Sequence, residues 1–189
     1  MVCQCRTRRK GRLVLIIPHV QVTPSAIDRQ GVTATEPFHD GDRILPIDDS
    51  RDVTPSQPLD EAKGELPHHC DYLAHGRVVL MQPPERHINH SCDPNTYVKT
   101  MEGVRWVIAR RAIAPGEEIT YDYSINSSGD TVWTCHCGSP RCRRQVHSDF
   151  FHLPLDLQNE YLPLLDDWYR DEHVNPVTNR SVPIPRQPE

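Results

Sequence analysis

Three cysteines fall within eight residues, at Cys135, Cys137 and Cys142, in the run Trp133-Thr-Cys-His-Cys-Gly-Ser-Pro-Arg-Cys-Arg-Arg144. A Gly-Ser-Pro turn separates the second thiol from the third, so one loop can aim all three at a single point. Zinc takes four soft ligands in a tetrahedron, with sulfur about 2.3 Å away. The run supplies three, and Cys92, inside Asn89-His90-Ser91-Cys92-Asp93-Pro94-Asn95, is the best candidate for the fourth. The chain holds seven cysteines, an odd number, and shows no evident export signal. Close Cys-x-Cys spacing suits a metal better than a disulfide. Cys3 and Cys5 repeat that spacing, but two ligands do not close a tetrahedron, so they read as free thiols in a frayed end. Cys70 reads as a packing residue. His87, His136 and the His68-His69 pair are set aside because the thiol set is complete without them.

The 18 prolines among 189 residues argue against long helices and long central strands, because each lacks a backbone donor. Strands are expected at Leu13 to Val22, Gly31 to Ala34, Arg43 to Ile47 and Glu118 to Tyr123. Hairpins are expected from Asp71 to Gln82 around Gly76, and from Thr96 to Arg110 around Met101-Glu-Gly103. Pro115-Gly116 fits the centre of a type II turn. Asp48 to Pro67, rich in Asp, Pro and Ser, reads as a loop. Many short strands with turn signals imply a small, mainly β architecture. Beyond the cysteines, Leu157, Tyr161, Leu164, Leu165 and Trp168 recur at helical spacing, with Pro154 suited to a first turn and Pro163 breaking the run.

A net charge of −5 carries no nucleic-acid footprint. The basic cluster Arg6, Arg8, Arg9, Lys10 and Arg12 reads as a solvated tail, with at most a weak nucleic-acid contact. Leu13-Val-Leu-Ile-Ile17 is too short for a signal peptide or a membrane span. The expectation is a soluble intracellular protein, cytoplasmic or nuclear, with no membrane partner.

Three segments together resemble the SET-domain protein-lysine methyltransferase family. Arg86-His-Ile-Asn-His-Ser-Cys-Asp-Pro-Asn95 is similar to its Asn-His-Ser-Cys motif, and Pro115-Gly-Glu-Glu-Ile-Thr-Tyr-Asp-Tyr123 to its Gly-Glu-Glu-Leu-Thr-Phe/Tyr-Asp-Tyr motif. Cys135 to Cys142 is similar to its post-SET zinc loop, which borrows a fourth ligand from the Asn-His-Ser-Cys motif. Ser25 to Ala34 resembles, more faintly, its opening Gly-x-Gly segment. The likeness covers roughly residues 24 to 144. It implies small sheets with a knot-like crossing where the two central motifs meet. The organisation expected is a disordered basic N-terminus (1–12), a SET core (13–130), a post-SET zinc loop (131–147), a C-terminal helical cap (148–173) and a loose tail (174–189).

The resemblance implies transfer of a methyl group from S-adenosylmethionine to a lysine amine of a histone or non-histone protein or peptide. Tyr123 takes the place of the central tyrosine. Tyr121 stands where the family sets the number of methyl groups added, and its hydroxyl implies monomethylation. Asn89 and His90 are implied cofactor contacts, together with Arg29, Gln30 and Gly31. Trp133 either stacks on the purine or fills the core. Arg29 replaces the family's first glycine; it either attracts the cofactor's carboxylate or weakens the pocket. That departure and the short insert at Asp48 to Pro67 leave a second reading, a catalytically silent, zinc-braced module that binds a peptide. Intact Tyr123, Asn89 and His90 favour the enzyme.

Overall fold

In a computed structural model, which describes residues 19–174, local turn chemistry sets the strand pairings. β1 (Val20–Pro24) and β2 (Gln30–Ala34) form an antiparallel pair. β3 (Arg43–Pro46) is followed by the Asp48 to Pro67 segment, which is irregular apart from isolated bridges and one 3-10 turn. β4 (Cys70–Tyr72) and β5 (Val78–Leu80) make the hairpin expected around Gly76. β6 is only Asn89–His90. β7 (Thr96–Met101) and β8 (Val104–Ala109) turn through Glu102 and Gly103, with φ of 55° and 79°. Positive φ at both central residues is the mark of a type I′ turn, whose twist matches the strands it joins. β9 (Glu118–Tyr121) follows a turn in which Glu117 N donates to Ala114 O and Gly116 has φ 84°, as a type II turn requires. β9 ends two residues short of the expected Tyr123.

The strands assemble into small sheets. One has the order β1-β2-β9-β6 and another β3-β8-β7, with β4-β5 a separate ribbon. β6 pairs with β9 in parallel, setting Asn89 opposite Thr120 and His90 opposite Tyr121. The two central motifs therefore meet side by side. Between the larger sheets lies a core that includes Val32, Leu45, Ile88, Val107, Ile113 and Ile119, with Tyr121 packed against it. The mainly β fold of small sheets that the sequence implies is the one observed.

Two features differ from expectation. β10 (Ser128–Thr134) and β11 (Gln145–Asp149) form an antiparallel ribbon where only a loop was expected. β10 is almost wholly exposed and β11 fully buries only Val146, so no hydrophobic alternation marks them. The C-terminal run splits at Pro163 into α1 (Leu155–Tyr161) and α2 (Asp167–His173), joined by a 3-10 turn. The break resets the helical phase. Leu157, Tyr161, Leu165 and Tyr169 face a core with Phe150 and Leu153, while Leu164 and Trp168 are only partly covered. The basic N-terminal cluster, Cys3, Cys5, the Leu13 to Pro18 half of the expected first strand and the tail beyond Val174 lie outside the described residues.

Candidate functional site

The β10-β11 ribbon forms the neck of the cysteine loop. Thr134 sits opposite Gln145, and Cys135 N donates to Arg144 O at 2.7 Å. Within the loop Gly138 has φ 75° and Cys142 N donates to Ser139 O. Cys92 arrives from the loop after β6. The ligand atoms of Cys92, Cys135, Cys137 and Cys142 all lie within 4.8 Å of one another, and Cys92 Sγ is 3.8 Å from Cys135 Sγ. Sulfurs about 2.3 Å from a tetrahedral centre are about 3.8 Å apart, so this donor set fits zinc. Among the described residues it is the one such His/Cys/Asp/Glu group. Burial pushes the Cys92 thiol up to about 11 and raises that of Cys135. At Cys137 burial pushes the same way, but hydrogen bonds, led by the backbone groups of Cys92 and Ser139, draw it down to about 7. A divalent cation among these sulfurs favours the thiolate form of all four. Val146 and Trp133 pack against the cluster, whereas Cys70 lies apart on β4, half-buried.

His90 links this cluster to the tyrosines. Its ring is buried, with Nδ1 3.1 Å from Tyr123 N and Nε2 3.3 Å from Cys92 Sγ. A backbone N–H only donates, so Nδ1 accepts and Nε2 carries the proton toward sulfur. Burial pushes the imidazole down to about 4, and it stays neutral near pH 7. Tyr123 O–H donates to Ile88 O at 2.7 Å. With its proton committed there, the oxygen keeps lone pairs free to accept. The ring centroid of Tyr123 is 4.9 Å from that of Tyr121, 5.3 Å from His90 and 6.0 Å from Trp133. Tyr121 O–H has no hydrogen-bond partner among the described residues. Burial, then the neighbouring Tyr123 and Asp71, raises the Tyr121 pKa well above its usual value. Burial, then Asp28 and Glu118, raises that of Tyr123. Both phenols are protonated near neutral pH.

The Ser25 to Gly31 segment lies against Asn89. Asn89 Nδ2, with two protons to give, lies 2.8 Å from Glu118 Oε1, 3.0 Å from Gln30 O and 3.1 Å from Ser25 Oγ. A Cβ on Gly31 would stand 2.2 Å from Glu118 Oε1, so the glycine leaves room for that carboxylate. Arg29 is exposed and has φ 36°, a left-handed backbone that glycine adopts without strain. Trp133, on β10, is half-buried and meets the His90 ring edge-on at 5.3 Å. It neither fills a core nor stands free.

Sequence reasoning missed several residues that build this neighbourhood. Ser25 and Glu118 hold the Asn89 amide. Asn95 is buried: Nδ2 donates to Glu118 O and Oδ1 accepts from Thr120 N, both at 2.8 Å, which fastens the Cys92 loop to β9. Asp122 and Arg143 form a bidentate pair. Strand alternation was the available signal for Asp122, since Tyr121 and Tyr123 share one side and Asp122 takes the other.

A family model described as SET domain matches residues 29–124. Over 61 residues the chain is 46% identical to "Histone-lysine N-methyltransferase, H3 lysine-36 specific" of Candida albicans, covering 30% of this chain and 7% of that protein. It is 44% identical over 66 residues to "Histone-lysine N-methyltransferase trithorax" of Drosophila virilis, covering 33% and 2%. It is 47% identical over 62 residues to "Histone-lysine N-methyltransferase set-2" of Caenorhabditis elegans, covering 31% and 4%. The chain thus spans well under a tenth of the length of these curated relatives. No described helix is long and apolar enough to cross a membrane.

Proposed function

This chain belongs to the SET-domain family, and we propose that it transfers one methyl group from S-adenosylmethionine to the side-chain amine of a lysine in a protein substrate. The observation that carries the reading is the pairing of Asn89-His90 with the strand leading to Tyr121 and Tyr123, beside four converged thiols. The names of the similar proteins direct attention to histones, alongside other lysine-bearing proteins or peptides.

S-adenosylmethionine, when bound, supplies a methyl carbon activated by its sulfonium sulfur. The residues of this chain bind, orient and exclude water. Asn89, His90 and the Arg29-Gln30-Gly31 segment hold the cofactor's amino-acid end, with Asn89 Oδ1 accepting because Nδ2 is already engaged. Trp133 borders the same pocket. Tyr121 and Tyr123 wall the lysine channel. An exposed lysine has a pKa of about 10.4 and is mostly ammonium near neutrality. Apolar aromatic walls disfavour that charge and release the neutral amine. The Tyr123 oxygen, its proton held by Ile88 O, accepts weak contacts from the polarised methyl and aligns the amine. The unpartnered Tyr121 hydroxyl is available to hold a water, which leaves too little room for a methylated amine. Cys92, Cys135, Cys137 and Cys142 would hold the zinc, and its ligation would order the loop beside His90.

The test is incubation with labelled S-adenosylmethionine and a panel of histone and non-histone proteins, followed by mass spectrometry. Monomethyl-lysine is expected. The left-handed Arg29 favours, as a second reading, a silent peptide-binding module. A silent module need not bind S-adenosylmethionine, so absence of both cofactor binding and transfer would overturn the enzyme and leave that module standing.

A further inference from the structure

Asp122 has 0% exposure and lies between the two tyrosines in sequence. A buried carboxylate is costly unless paired and hydrogen-bonded. Asp122 has both. Arg143 Nη1 and Nη2 donate to its two oxygens at 2.5 and 2.9 Å, a fork-to-carboxylate geometry. Ser124 N donates to Asp122 Oδ1 at 3.0 Å and Ile125 N to Asp122 O at 2.9 Å. Asp122 therefore shapes the bend that carries the chain through Tyr123 after β9 ends. Arg143 follows Cys142 directly, and its backbone N donates to Cys92 Sγ at 3.4 Å. A single residue touches the thiol cluster with its backbone and the tyrosine bend with its side chain.

We infer that Arg143 is a positioning residue that, through Asp122, ties order at the four-cysteine cluster to the placement of Tyr123. The inference rests on the reading that Tyr123 serves methyl transfer, and it adds a way in which metal occupancy governs that site. His90 is a parallel link, since its ring bridges Cys92 Sγ and Tyr123 N. The His90 ring contacts the Tyr123 amide itself. Arg143–Asp122 instead fixes the bend around it and does so with a buried charge, so its loss cannot be absorbed by a small ring movement.

The experiment compares zinc-loaded wild type with Arg143→Gln, Arg143→Lys, Asp122→Asn and the Arg143→Gln/Asp122→Asn pair. Zinc content, cofactor Kd, single-turnover transfer and the ring resonances of Tyr123, assigned with Tyr123→Phe, are read for each. Arg143→Gln is expected to keep its zinc and its cofactor Kd while transfer slows on the order of 10²-fold, the scale of a small misplacement of reacting groups. Arg143→Lys recovers part of the rate, because an ammonium keeps the charge but not the fork. In wild type, chelation shifts the Tyr123 resonances; in Arg143→Gln that response is blunted. Should Arg143→Gln not fold, Arg143→Lys and the double variant, which leaves no buried charge unpaired, give the same readings. Unchanged transfer and an unchanged chelation response in a folded variant would overturn the inference, as would loss of zinc in step with rate. If wild type transfers no methyl group, the functional reading falls, and the Tyr123 resonances still decide the link.

Discussion

Replacing Glu85 by Gln should make the stability of the protein less dependent on pH. Glu85 is 4% exposed and sits in the turn that delivers Asn89 and His90 to β9. Its Oε1 accepts from Gln82 N at 3.1 Å and from Asp48 N at 3.2 Å, so it gathers the start of the irregular insert onto that turn. Burial pushes the carboxyl up from the usual 4.5 to about 6, and the backbone donors offset only part of that cost. At 1.36 kcal/mol per pH unit, ionising the group inside the fold costs about 2 kcal/mol more than in the unfolded chain. The folded pKa is the higher one, so the fold favours the protonated acid. Its contribution is fully present below pH 4.5 and is lost as pH rises through 6.

Gln keeps a carbonyl acceptor for both donors and cannot ionise. Its amide nitrogen adds an offset that does not change with pH, so the quantity to read is the change in the gap between the two proteins. Urea unfolding at intervals from pH 4 to 8 should show the Gln variant gaining about 2 kcal/mol on wild type across that range, most of it between pH 4.5 and 6. In thermal unfolding this is a relative rise of roughly 4–8 °C for a chain of this size. Groups that titrate in both proteins, the thiols included, cancel in the difference. A gap that stays constant with pH, or moves the other way, would refute the assignment of the cost to a buried, ionised Glu85.

Three further outcomes are expected. Tyr121→Phe should raise the share of dimethyl-lysine, read by mass spectrometry of the product; an unaltered spectrum removes Tyr121 from control of methyl number. Gly31→Ala sets a Cβ 2.2 Å from Glu118 Oε1, which must displace a carboxylate that Ser25 and Asn89 hold; a loss of about 1–3 kcal/mol in urea unfolding and weaker cofactor binding by calorimetry should follow. Arg105 is 8% exposed and neutralises both Asp49 and Asp71, so Arg105→Met should cost roughly 3–5 kcal/mol, measured by urea unfolding at pH 7; an unchanged midpoint would remove Arg105 from the stability of this corner.

What could be read from the sequence was whatever is decided locally. Positive φ at Gly103 and the Pro115-Gly116 turn follow from residue type, and each fixed a strand pairing, while Glu102 is carried into positive φ by the turn that Gly103 completes. The thiols were legible because their spacing alone restricts where three sulfurs can point. The C-terminal helices were half legible: Pro163 announced a break but not the phase of what followed, so Tyr169, fully buried, went unnoticed beside Trp168. The β10-β11 ribbon left no trace because β10 is almost wholly exposed and polar and β11 fully buries only Val146, too little for an alternating pattern.

The arginines beside the cysteines show why side-chain pairing escapes such a reading. In sequence Arg141, Arg143 and Arg144 are a basic flank, and a run of like charge is ordinarily a solvated face. In the fold Arg141 reaches Glu160 on α1 at 2.6 and 3.1 Å, while Arg143 reaches Asp122. These ties differ in kind. The Arg141 pair is largely exposed, where such pairs contribute at most about 1 kcal/mol. The Arg143 pair is buried, where removing one member strands the other. A metal therefore need not bear the whole task of closing the loop: four thiols fix its tip, Arg141 leans it on the C-terminal helix, and Arg143 locks its base to the strand of tyrosines. Only the first of these is encoded by spacing; the other two depend on which carboxylates the folded chain brings within reach.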